Sequence, residues 1–491
     1  VARKNYEGTV VVRAAKCEDT PDVQLVASLQ SGDGSATCAE TLVAVPADGD
    51  WHTIDFELTP DAADTRGRLA LMLRSPGSVT LDYVALHPGK WGRFKGLPIR
   101  KDIADALVDQ GLTVLRYGGA MINTRRHEER GVGPVYRWKQ MIGPRPDRPP
   151  YWSTFYRYSS NGFGIIDFLA FCQAAGFLAV PTLSSLEDPQ DIADFIEYVN
   201  GDADTEWGAR RIADGYPEPF DVKYICVGNE EWSQAYVDEF GRLATVIDQA
   251  DSQMTSIITM WLTPDSMGGE ETIPWVNGLV EHAKGKKTLW DIHVGGDNFA
   301  DGNVAEGLIT EARAFIDAYD PDNTMRFCVL EENGSLHDMQ RALGHAHIIN
   351  TLERLGDEVL IDCPANCLQP WQQHDNNWDQ GQVFFTPDQV WGQPPFYAQQ
   401  MLARNYLPLC VRAGFANDGL DVTATRNEDG SVVVVKVVNL TPDPVTADLT
   451  FATNFVATRL TVTTLTGSLD ADNTPANLEN IIPSVEVIDQ P

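Results

Sequence analysis

The sequence predicts an α/β protein in which a (β/α)8 barrel is flanked by an N-terminal and a C-terminal β-sandwich. Changes of pattern along the 491 residues support this prediction. Residues 9–88 and 413–491 contain short apolar runs that alternate with period two, whereas residues 91–412 alternate strand-like apolar runs with amphipathic segments of helical length. We therefore expect three domains, at 1–90, 91–412 and 413–491.

In the first region, Gly, Asp and Pro residues separate the alternating runs. The clearest runs are 10–12, 24–27, 54–58, 69–73 and 79–86. Strands that bury one face and expose the other give this alternation, so the pattern predicts an antiparallel sandwich.

The second region contains helices whose starts and buried faces follow from residue spacing. Asp188 and Pro189 are typical of a helix start. The apolar residues that follow recur on one face at Ile192, Phe195, Ile196 and Val199. A second helix is predicted over 338–355, ending before Gly356, with its inward positions at Leu343, Ala346 and Ile349.

Between such helices the sequence predicts seven parallel strands. Each is a nearly continuous apolar run that ends in polar residues, as barrel strands do when their C-terminal ends open into a site. The predicted strands are 112–119, 178–185, 223–230, 256–261, 288–294, 326–333 and 360–367. An eighth strand is needed to close the barrel.

The third region returns to period two. The runs at 432–438, 447–451 and 460–465 predict strands, and Glu428-Asp429-Gly430 predicts a hairpin turn. These strands are expected to form the C-terminal sandwich.

Charge and composition exclude several classes of partner. The chain has 37 Lys and Arg against 70 Asp and Glu, a net charge of −33 that repels nucleic acids and anionic lipids. No run approaches the roughly 18 apolar residues of a spanning helix. The eight cysteines lack the repeated C-x-x-C spacing of structural zinc. The sequence predicts a soluble protein and favours an extracellular location over the cytoplasm without deciding between them.

Two glutamate motifs at predicted strand ends suggest the chemistry. Val227-Gly228-Asn229-Glu230-Glu231-Trp232 ends one strand, and Cys328-Val329-Leu330-Glu331-Glu332-Asn333-Gly334 ends another. In a parallel barrel both ends open at the same mouth, and a carboxyl group against Trp232 would be partly desolvated. A single glutamate at a strand end is more often a surface or salt-bridged residue, but the pair predicts glycoside hydrolysis by two carboxyl groups.

Other candidate sites are weaker. His345 and His347 lie two apart on a predicted helix and do not share a face, so they are poor metal ligands. Neither a G-x-x-x-x-G-K-[ST] loop nor a G-x-G-x-x-G following a strand is present. Asp297 and Asp362 follow strands but are more often caps or turn residues in such positions. Six tryptophans near predicted loops could stack on sugars or pack in the core: Trp138, Trp152, Trp261, Trp371, Trp378 and Trp391.

The whole chain resembles glycoside hydrolase family 51, a family of α-L-arabinofuranosidases with some endoglucanases. Leu115-Arg116-Tyr117-Gly118-Gly119 is similar to the second-strand motif of the family, without its usual proline. Further matching segments are 136–139, 142–144, 148–149, 161–164, 201–208, 217–224, 228–230, 369–371 and 391–395. In the family the first barrel strand precedes an inserted carbohydrate-binding-like sandwich. The resemblance therefore implies a missing N-terminal piece, cleaved and still associated or lying upstream, which intact-mass analysis tests.

The resemblance implies a role for each site residue. Glu230 would be the acid/base, and Asn229 would hold the 2-hydroxyl of the sugar. Aligning the family's asparagine with Asn333 selects Glu331 as the nucleophile, with Glu332 as second choice. Arg116 and His293 would support the nucleophile and shape the sugar pocket, although the family's tyrosine after His293 is absent. The remaining expected substrate-binding residues are Gly118, Gly119, Trp232, Asn333, Gln369 and Trp371.

The leading hypothesis is a retaining, exo-acting α-L-arabinofuranosidase that removes arabinofuranosyl residues from plant polysaccharides. An endo-β-1,4-glucanase or xylanase of the same family is the alternative, which the altered motifs and the missing tyrosine make plausible. A catalytically inactive carbohydrate-binding protein is a third hypothesis. The two-carboxylate mechanism requires no cofactor and no metal. The acidic balance favours a neutral oligo- or polysaccharide as the partner, and homo-oligomerisation is left open.

Overall fold

The computed structural model describes residues 1–16, 22–123, 125, 133, 135–152, 159–260, 272–365, 367–373, 379–414, 419–451 and 455–489. By compactness the chain divides into two units. One consists of residues 1–105 and 385–390, and the other of residues 106–384 and 391–491. The division into three domains at 1–90, 91–412 and 413–491 stays a prediction.

The first unit contains an antiparallel β-sandwich, as predicted. Its strands are β1 (Tyr6–Lys16), β2 (Asp22–Gln30), β3 (Thr37–Pro46), β4 (Asp48–Leu58), β5 (Arg68–Leu73) and β6 (Gly77–Pro88). They pair in two three-stranded sheets with the orders β4-β1-β6 and β3-β2-β5. Alternate residues of each strand point inward, so the core between the sheets includes Val10, Val12, Leu25 and Phe56. Helix α1 (Lys101–Asp109) follows.

The second unit is built on a parallel sheet of eight strands that forms a nearly closed barrel. The barrel strands are β7 (Val114–Tyr117), β8 (Leu178–Leu183), β9 (Tyr224–Glu231), β10 (Thr255–Met260), β11 (Thr288–Asp291), β12 (Val294–Gly295), β13 (Arg326–Asn333) and β14 (Val359–Pro364). Strand β12 resumes the course of β11 along β13 after Ile292 and His293. Strands β11 and β12 together correspond to the predicted strand 288–294, so the eight observed strands account for the seven predicted ones. Among the described residues, no hydrogen-bonded ladder joins β14 to β7.

The interior of the barrel is apolar. Its core contains Val180, Cys226, Ile257, Leu289 and Cys328, each from a different strand. Neighbouring strands contribute these residues at matched heights, since Ile257 pairs with both Cys226 and Leu289. Because this layer fills the barrel, polar side chains at the C-terminal strand ends are the ones available for chemistry.

Helices connect the barrel strands: α2 (Ile165–Ala175), α3 (Pro189–Asn200), α4 (Glu206–Ala213), α5 (Gln234–Ala250), α6 (Ile273–Ala283), α7 (Asp301–Tyr319) and α8 (Met339–Leu355). Helix α3 follows the prediction, with the Asp188 side chain accepting from the Gln190 N–H and the four apolar residues buried. None of the helices in the described ranges is long and apolar enough to cross a membrane.

Helix α8 has the predicted ends, but more than the predicted face is buried. Asp338 caps its N-terminus and Gly356 follows its last residue. The residues expected to face inward are only partly buried, whereas Arg341, His345 and Asn350 are fully buried. Leu343 and Ala346 do pack against a core cluster that contains Met339 and Ala342. The prediction was incomplete because the polar side chains have buried partners on other segments, which the apolar periodicity does not reveal.

After the barrel come short strands β15 (Leu368–Pro370), β16 (Val383–Phe385) and β17 (Val390–Gly392), helix α9 (Pro394–Arg404), and the C-terminal strands β18 (Leu409–Val411), β19 (Leu420–Arg426), β20 (Val433–Asn439), β21 (Arg459–Thr464) and β22 (Ser484–Asp489). Strands β18, β19 and β20 form one antiparallel sheet and β21 pairs with β22. Residues 447–451 were expected to form a strand and do not; Leu449 is 55% exposed, so the run lacks a buried face.

Residues 469–481 lie against α8 and against the segment before α9. The Met339 and Gln340 N–H groups donate to the carbonyls of Ala471 and Leu469. The buried Asn473 side chain donates to the Gly392 carbonyl and accepts from the Ile481 N–H. The first turn of α8 thus depends on backbone from the segment between β21 and β22 for part of its hydrogen bonding.

Candidate active site

The end of β9 is irregular, and this irregularity brings two consecutive side chains to one place. Ile258 of β10 pairs with Val227, but Met260 pairs with Glu231, so β9 has two more residues than its neighbour over this interval. Gly228 has φ +83° and Glu230 has φ +48°, both in the left-handed region. In a regular strand consecutive side chains point to opposite faces. The bulge lets Asn229 and Glu230 approach the same cluster.

Glu231 points away from that cluster. Its carboxylate accepts from the Ser185 hydroxyl at 2.8 Å and lies 3.6 Å from Arg125, and burial raises its pKa. A Cβ on Gly228 would lie 2.9 Å from Cγ of Glu231. Glycine at 228 is therefore required both by the backbone angle and by the close approach of Glu231.

The end of β13 shifts its register against β14 between Val329 and Glu332, but its two consecutive glutamates still point to opposite faces. Glu331 lies at the site, with its side chain 15% exposed. Glu332 is fully buried on the other face, where its carboxylate binds His345 Nδ1 at 2.5 Å and lies 3.7 Å from Arg341. The structure brings Glu331, and not Glu332, to the cluster that contains Glu230.

Arg116 from β7 links the two strand ends. Its guanidinium donates to Glu331 Oε1 and to Asn229 Oδ1, both at 2.7 Å. Burial alone would lower the pKa of Arg116, but the charges of Cys226, Glu331 and Asp291 outweigh it and raise the pKa, so the guanidinium stays charged.

The two glycines after Arg116 make room and are not themselves donors to the carboxylates. A Cβ on Gly118 would lie 2.2 Å from Thr182 Oγ1, and one on Gly119 would lie 3.1 Å from Glu331 Oε1. Gly119 also has φ +78°. The chain can pass this close to Glu331 because both positions lack a side chain.

His293 lies between the two carboxylates. Its Nδ1 is 2.9 Å from Glu230 and 3.7 Å from Glu331, and its Nε2 is 2.9 Å from Asp291. Burial lowers the pKa of His293, but the negative charges of Asp291 and Glu331 outweigh burial and raise it to about 10. One oxygen of each glutamate and one ring nitrogen all lie within 4.8 Å of one another.

These three side chains are also close enough to chelate a metal ion. A ring nitrogen must lose its proton to bind a metal, and Asp291 favours the protonated imidazole. Binding through Nδ1 would therefore displace a proton from His293 while Asp291 keeps its contact with Nε2.

Two buried donors at the site have no hydrogen-bond partner within the described part of the chain. They are Nδ2 of Asn229 and Nε of Arg116. Because Oδ1 of Asn229 accepts from Arg116, its Nδ2 is the atom left to donate. Unpaired buried donors are rare, and beside two carboxylates they indicate a place for ligand hydroxyls.

The other predicted substrate-binding residues differ in their positions. Asn333 Nδ2 donates to Glu331 Oε2 at 3.3 Å, so it belongs to the cluster. Trp232 is 45% exposed and meets Trp275 edge-on. Gln369 is buried and uses its amide within its own loop, donating to Asp379 and accepting from the Gly381 N–H. Trp371 packs on Phe384 and Trp391.

Several other predicted candidates have local partners. Trp138 and Trp391 are buried in the core, Trp152 is 40% exposed, and Trp261 and Trp378 lie outside the described residues. Asp297 accepts from the Ser335 and Leu336 N–H groups. Asp362 is partly buried; burial, then the charge of Glu332, raises its pKa. His345 and His347 point to different partners, Glu332 and the Phe299 carbonyl.

Sequence reasoning missed Asp291. It precedes His293 by two positions, so on a strand both side chains point to the same face, which was the available signal. Asp291 is 3% exposed, and its contact with His293 makes it part of the site.

Comparison with known proteins adds a family to this geometry. An α-L-arabinofuranosidase domain model matches residues 106–294, and an α-L-arabinofuranosidase C-terminal domain model matches residues 329–490. Between them the two models cover most of the chain. The chain belongs to glycoside hydrolase family 51.

Named relatives and solved structures agree with the family 51 assignment. α-L-Arabinofuranosidase 1 of Arabidopsis thaliana is 29% identical over 250 residues, which are 48% of this chain and 35% of the relative. An extracellular exo-α-L-arabinofuranosidase of Streptomyces chartreusis is 26% identical over 298 residues, 55% of this chain and 34% of the relative. The chain thus matches about a third of the length of these relatives.

Solved structures share the fold. An arabinose-bound family 51 α-L-arabinofuranosidase superposes with a TM-score of 0.78 and 19% identity, covering 99% of this chain and 79% of the other. The enzyme from Thermotoga maritima gives a TM-score of 0.64 with 18% identity, over 82% of this chain and 88% of the other. Another relative, from Bifidobacterium longum, is named as intracellular and is 33% identical over 134 residues, 27% of this chain and 22% of the relative. The location of this family 51 chain stays a prediction.

Proposed function

We propose that this protein is a retaining α-L-arabinofuranosidase that works by a double displacement on Glu331 and Glu230. The observation that carries the proposal is the distance between the two carboxylates, whose nearest oxygens are within 4.8 Å. Retaining glycosidases have carboxyl groups about 5–5.5 Å apart, whereas inverting enzymes need about 6.5–9.5 Å to admit a water. The proposed specificity for arabinofuranosides is taken from the named relatives, since those described above are α-L-arabinofuranosidases.

In the first step a carboxylate oxygen of Glu331 attacks the anomeric carbon and forms an ester bond with the sugar. The glycosidic bond breaks, and protonated Glu230 gives its proton to the leaving oxygen. In the second step Glu230, now ionised, takes a proton from water, whose oxygen attacks the anomeric carbon and releases Glu331. Each glutamate returns to its starting protonation state.

The neighbours of the glutamates fit these roles. The Arg116 guanidinium at 2.7 Å favours the ionised form that Glu331 needs for attack. The unpaired Nδ2 of Asn229 is placed to donate to a sugar hydroxyl next to the reacting carbon. Hydrogen bonds of this kind strengthen in the transition state and supply several kcal/mol in glycosidases.

The charge of the protein bears on the class of polysaccharide. With a net charge of −33 the surface repels polyuronates, and the buried positive charge of Arg116 is already paired with Glu331. We therefore propose neutral arabinose-decorated oligo- or polysaccharides as substrates.

Turnover of 4-nitrophenyl α-L-arabinofuranoside, beside carboxymethylcellulose and unsubstituted xylan, tests the proposal. We expect activity on the first substrate; activity only on the polymers would overturn it. Reaction in the presence of methanol tests the stereochemistry, because a retaining enzyme gives the methyl α-L-arabinofuranoside. Glu332→Gln is the matched control for Glu331→Gln, since it changes the adjacent carboxylate on the opposite face of β13.

A further inference from the structure

The buried carboxylate of Asp291 contacts two different parts of the site. Its Oδ1 accepts from the Leu330 N–H at 2.8 Å, one residue before Glu331. Its Oδ2 is 2.9 Å from Nε2 of His293. The side chain therefore joins the strand of the proposed nucleophile to the imidazole that touches the proposed acid/base.

The first contact has a structural cause. Asp291 pairs with Cys328 and Val294 pairs with Glu332, so the ladder between β11–β12 and β13 loses its regular register between these pairs. A buried N–H needs an acceptor, and the Asp291 side chain supplies one to Leu330. An amide oxygen could do the same, so this contact alone does not require a carboxylate.

The second contact does depend on charge. The ionisable groups facing His293 are Asp291 on its Nε2 side and Glu230 and Glu331 on its Nδ1 side. Arg116 is hydrogen-bonded to Glu331. Near Asp291 lie the thiols of Cys226, Cys328 and Cys363; burial raises the pKa of each, so they stay neutral. Asp291 is thus the acceptor for the Nε2 proton of His293. Glu230 and Glu331, on the Nδ1 side of the ring, are the groups that the proposed reaction uses.

We propose that Asp291 is a positioning residue that holds His293 as a cation between Glu230 and Glu331 and so sets the pH range over which the two glutamates act. The inference rests on the proposed function of these glutamates. Asp291 fixes the proton on Nε2, which leaves the Nδ1 proton to be donated toward Glu230. The resulting positive charge favours the ionised form of both carboxylates.

The sign of the effect follows from distance. In Asp291→Asn the amide oxygen still accepts from Leu330, but the amide N–H faces Nε2 and makes the neutral imidazole the favoured form. Both glutamates then lose a cation at 2.9 and 3.7 Å, and the loss of a nearby cation disfavours the ionised form of a carboxylate. Removing the negative charge of Asp291 acts on the two glutamates in the opposite direction. Asp291, however, lies on the far side of the imidazole ring from them.

The test is the pH profile of kcat/KM for wild type, Asp291→Asn and the control Asp297→Asn. Asp297 also accepts backbone N–H groups and carries the same charge. In Asp291→Asn we expect both limbs of the profile to move up by about one pH unit, because the site loses the cation beside its two carboxyl groups. The control should leave both limbs unchanged. A lower maximum with unmoved limbs would mean that Asp291 has only a structural role.

A second measurement is made on the wild-type protein and does not depend on turnover. The chain has nine histidines, so the 13Cε1 resonance of His293 can be assigned by its loss in His293→Gln. We expect the wild-type imidazole to remain protonated through neutral pH. Titration of His293 near pH 6.5 would overturn the inference, whereas a wild-type protein with no arabinofuranosidase activity would overturn the proposed function instead.

Discussion

The ends of β9 and β13 carry the two glutamates in different ways. At the end of β13 the register shifts against β14, but consecutive side chains still alternate, so Glu331 faces the site and Glu332 faces His345 on the opposite side. β9 has a bulge with left-handed angles at Gly228 and Glu230, and both Asn229 and Glu230 contact the cluster. A regular strand points every second side chain to the same face. Two adjacent side chains can reach one site only where the strand is distorted. The site thus combines one carboxylate on an alternating strand end with one whose position depends on a left-handed backbone angle.

The largest effect is expected from Glu331→Gln. Removing the proposed nucleophile should lower kcat for 4-nitrophenyl α-L-arabinofuranoside by at least about 10⁴-fold, because an amide at this position cannot form the ester with the sugar. Steady-state kinetics measure the loss, and circular dichroism checks the fold. Activity within tenfold of wild type would show that Glu331 is not the nucleophile.

Glu230→Gln should have a smaller effect that depends on the leaving group. General acid catalysis contributes about 10²–10⁴-fold, and a nitrophenolate needs little protonation to depart. We therefore expect a larger loss on arabinose-containing oligosaccharides than on the nitrophenyl substrate. Equal losses on both substrates would contradict the acid role.

Gly228→Ala tests the bulge, with Gly176→Ala as a matched control. Both glycines have φ +83°, but the added Cβ meets Glu231 at residue 228 and open space at residue 176 among the described residues. Each change should cost about 1–2 kcal/mol of unfolding free energy from the left-handed angle. Only Gly228→Ala should also lower kcat, by about tenfold, because it displaces Asn229 and Glu230. An equal kcat for the two variants would argue that the bulge does not position the site.

Glu332→Gln should have the smallest effect on turnover. Its carboxylate binds His345 and lies near Arg341, and all three side chains are fully buried. We expect kcat within about threefold of wild type and a loss of about 1–3 kcal/mol in unfolding free energy, because a buried charged hydrogen bond is weakened. Thermal denaturation measures the loss. A kcat as low as that of Glu331→Gln would reverse the assignment of the two glutamates.

The sequence predicted the barrel strands well because buried parallel strands are apolar runs with clear ends. It also predicted the pairing of glutamates, since strand ends of a barrel share one mouth. It did not reveal the bulge at 228–230, because register depends on the neighbouring strand and not on local composition. Alternation within β13 could separate Glu331 from Glu332 only once the buried face was known.

The failures have a common physical origin. The prediction for α8 left out its buried polar residues because Arg341 and His345 find their partner at Glu332, a residue on another element. Asp291 was missed because its partners, Leu330 and His293, come together only in the folded barrel. Residues 447–451 alternate like a strand, but nothing in the alternation says whether a sheet is there to pair with.

The hydrogen bonds from Met339 and Gln340 to Leu469 and Ala471 bear on how the protein is made. A ribosome synthesises every barrel strand before it reaches these acceptors, so a nascent barrel has an incomplete α8 beside Glu332. At roughly 5–20 residues per second the delay between Glu331 and Ala471 is on the order of ten seconds. During that interval the incompletely folded barrel is exposed to chaperones and proteases. Pauses in translation over residues 440–470 would lengthen this exposure and lower the yield of active protein.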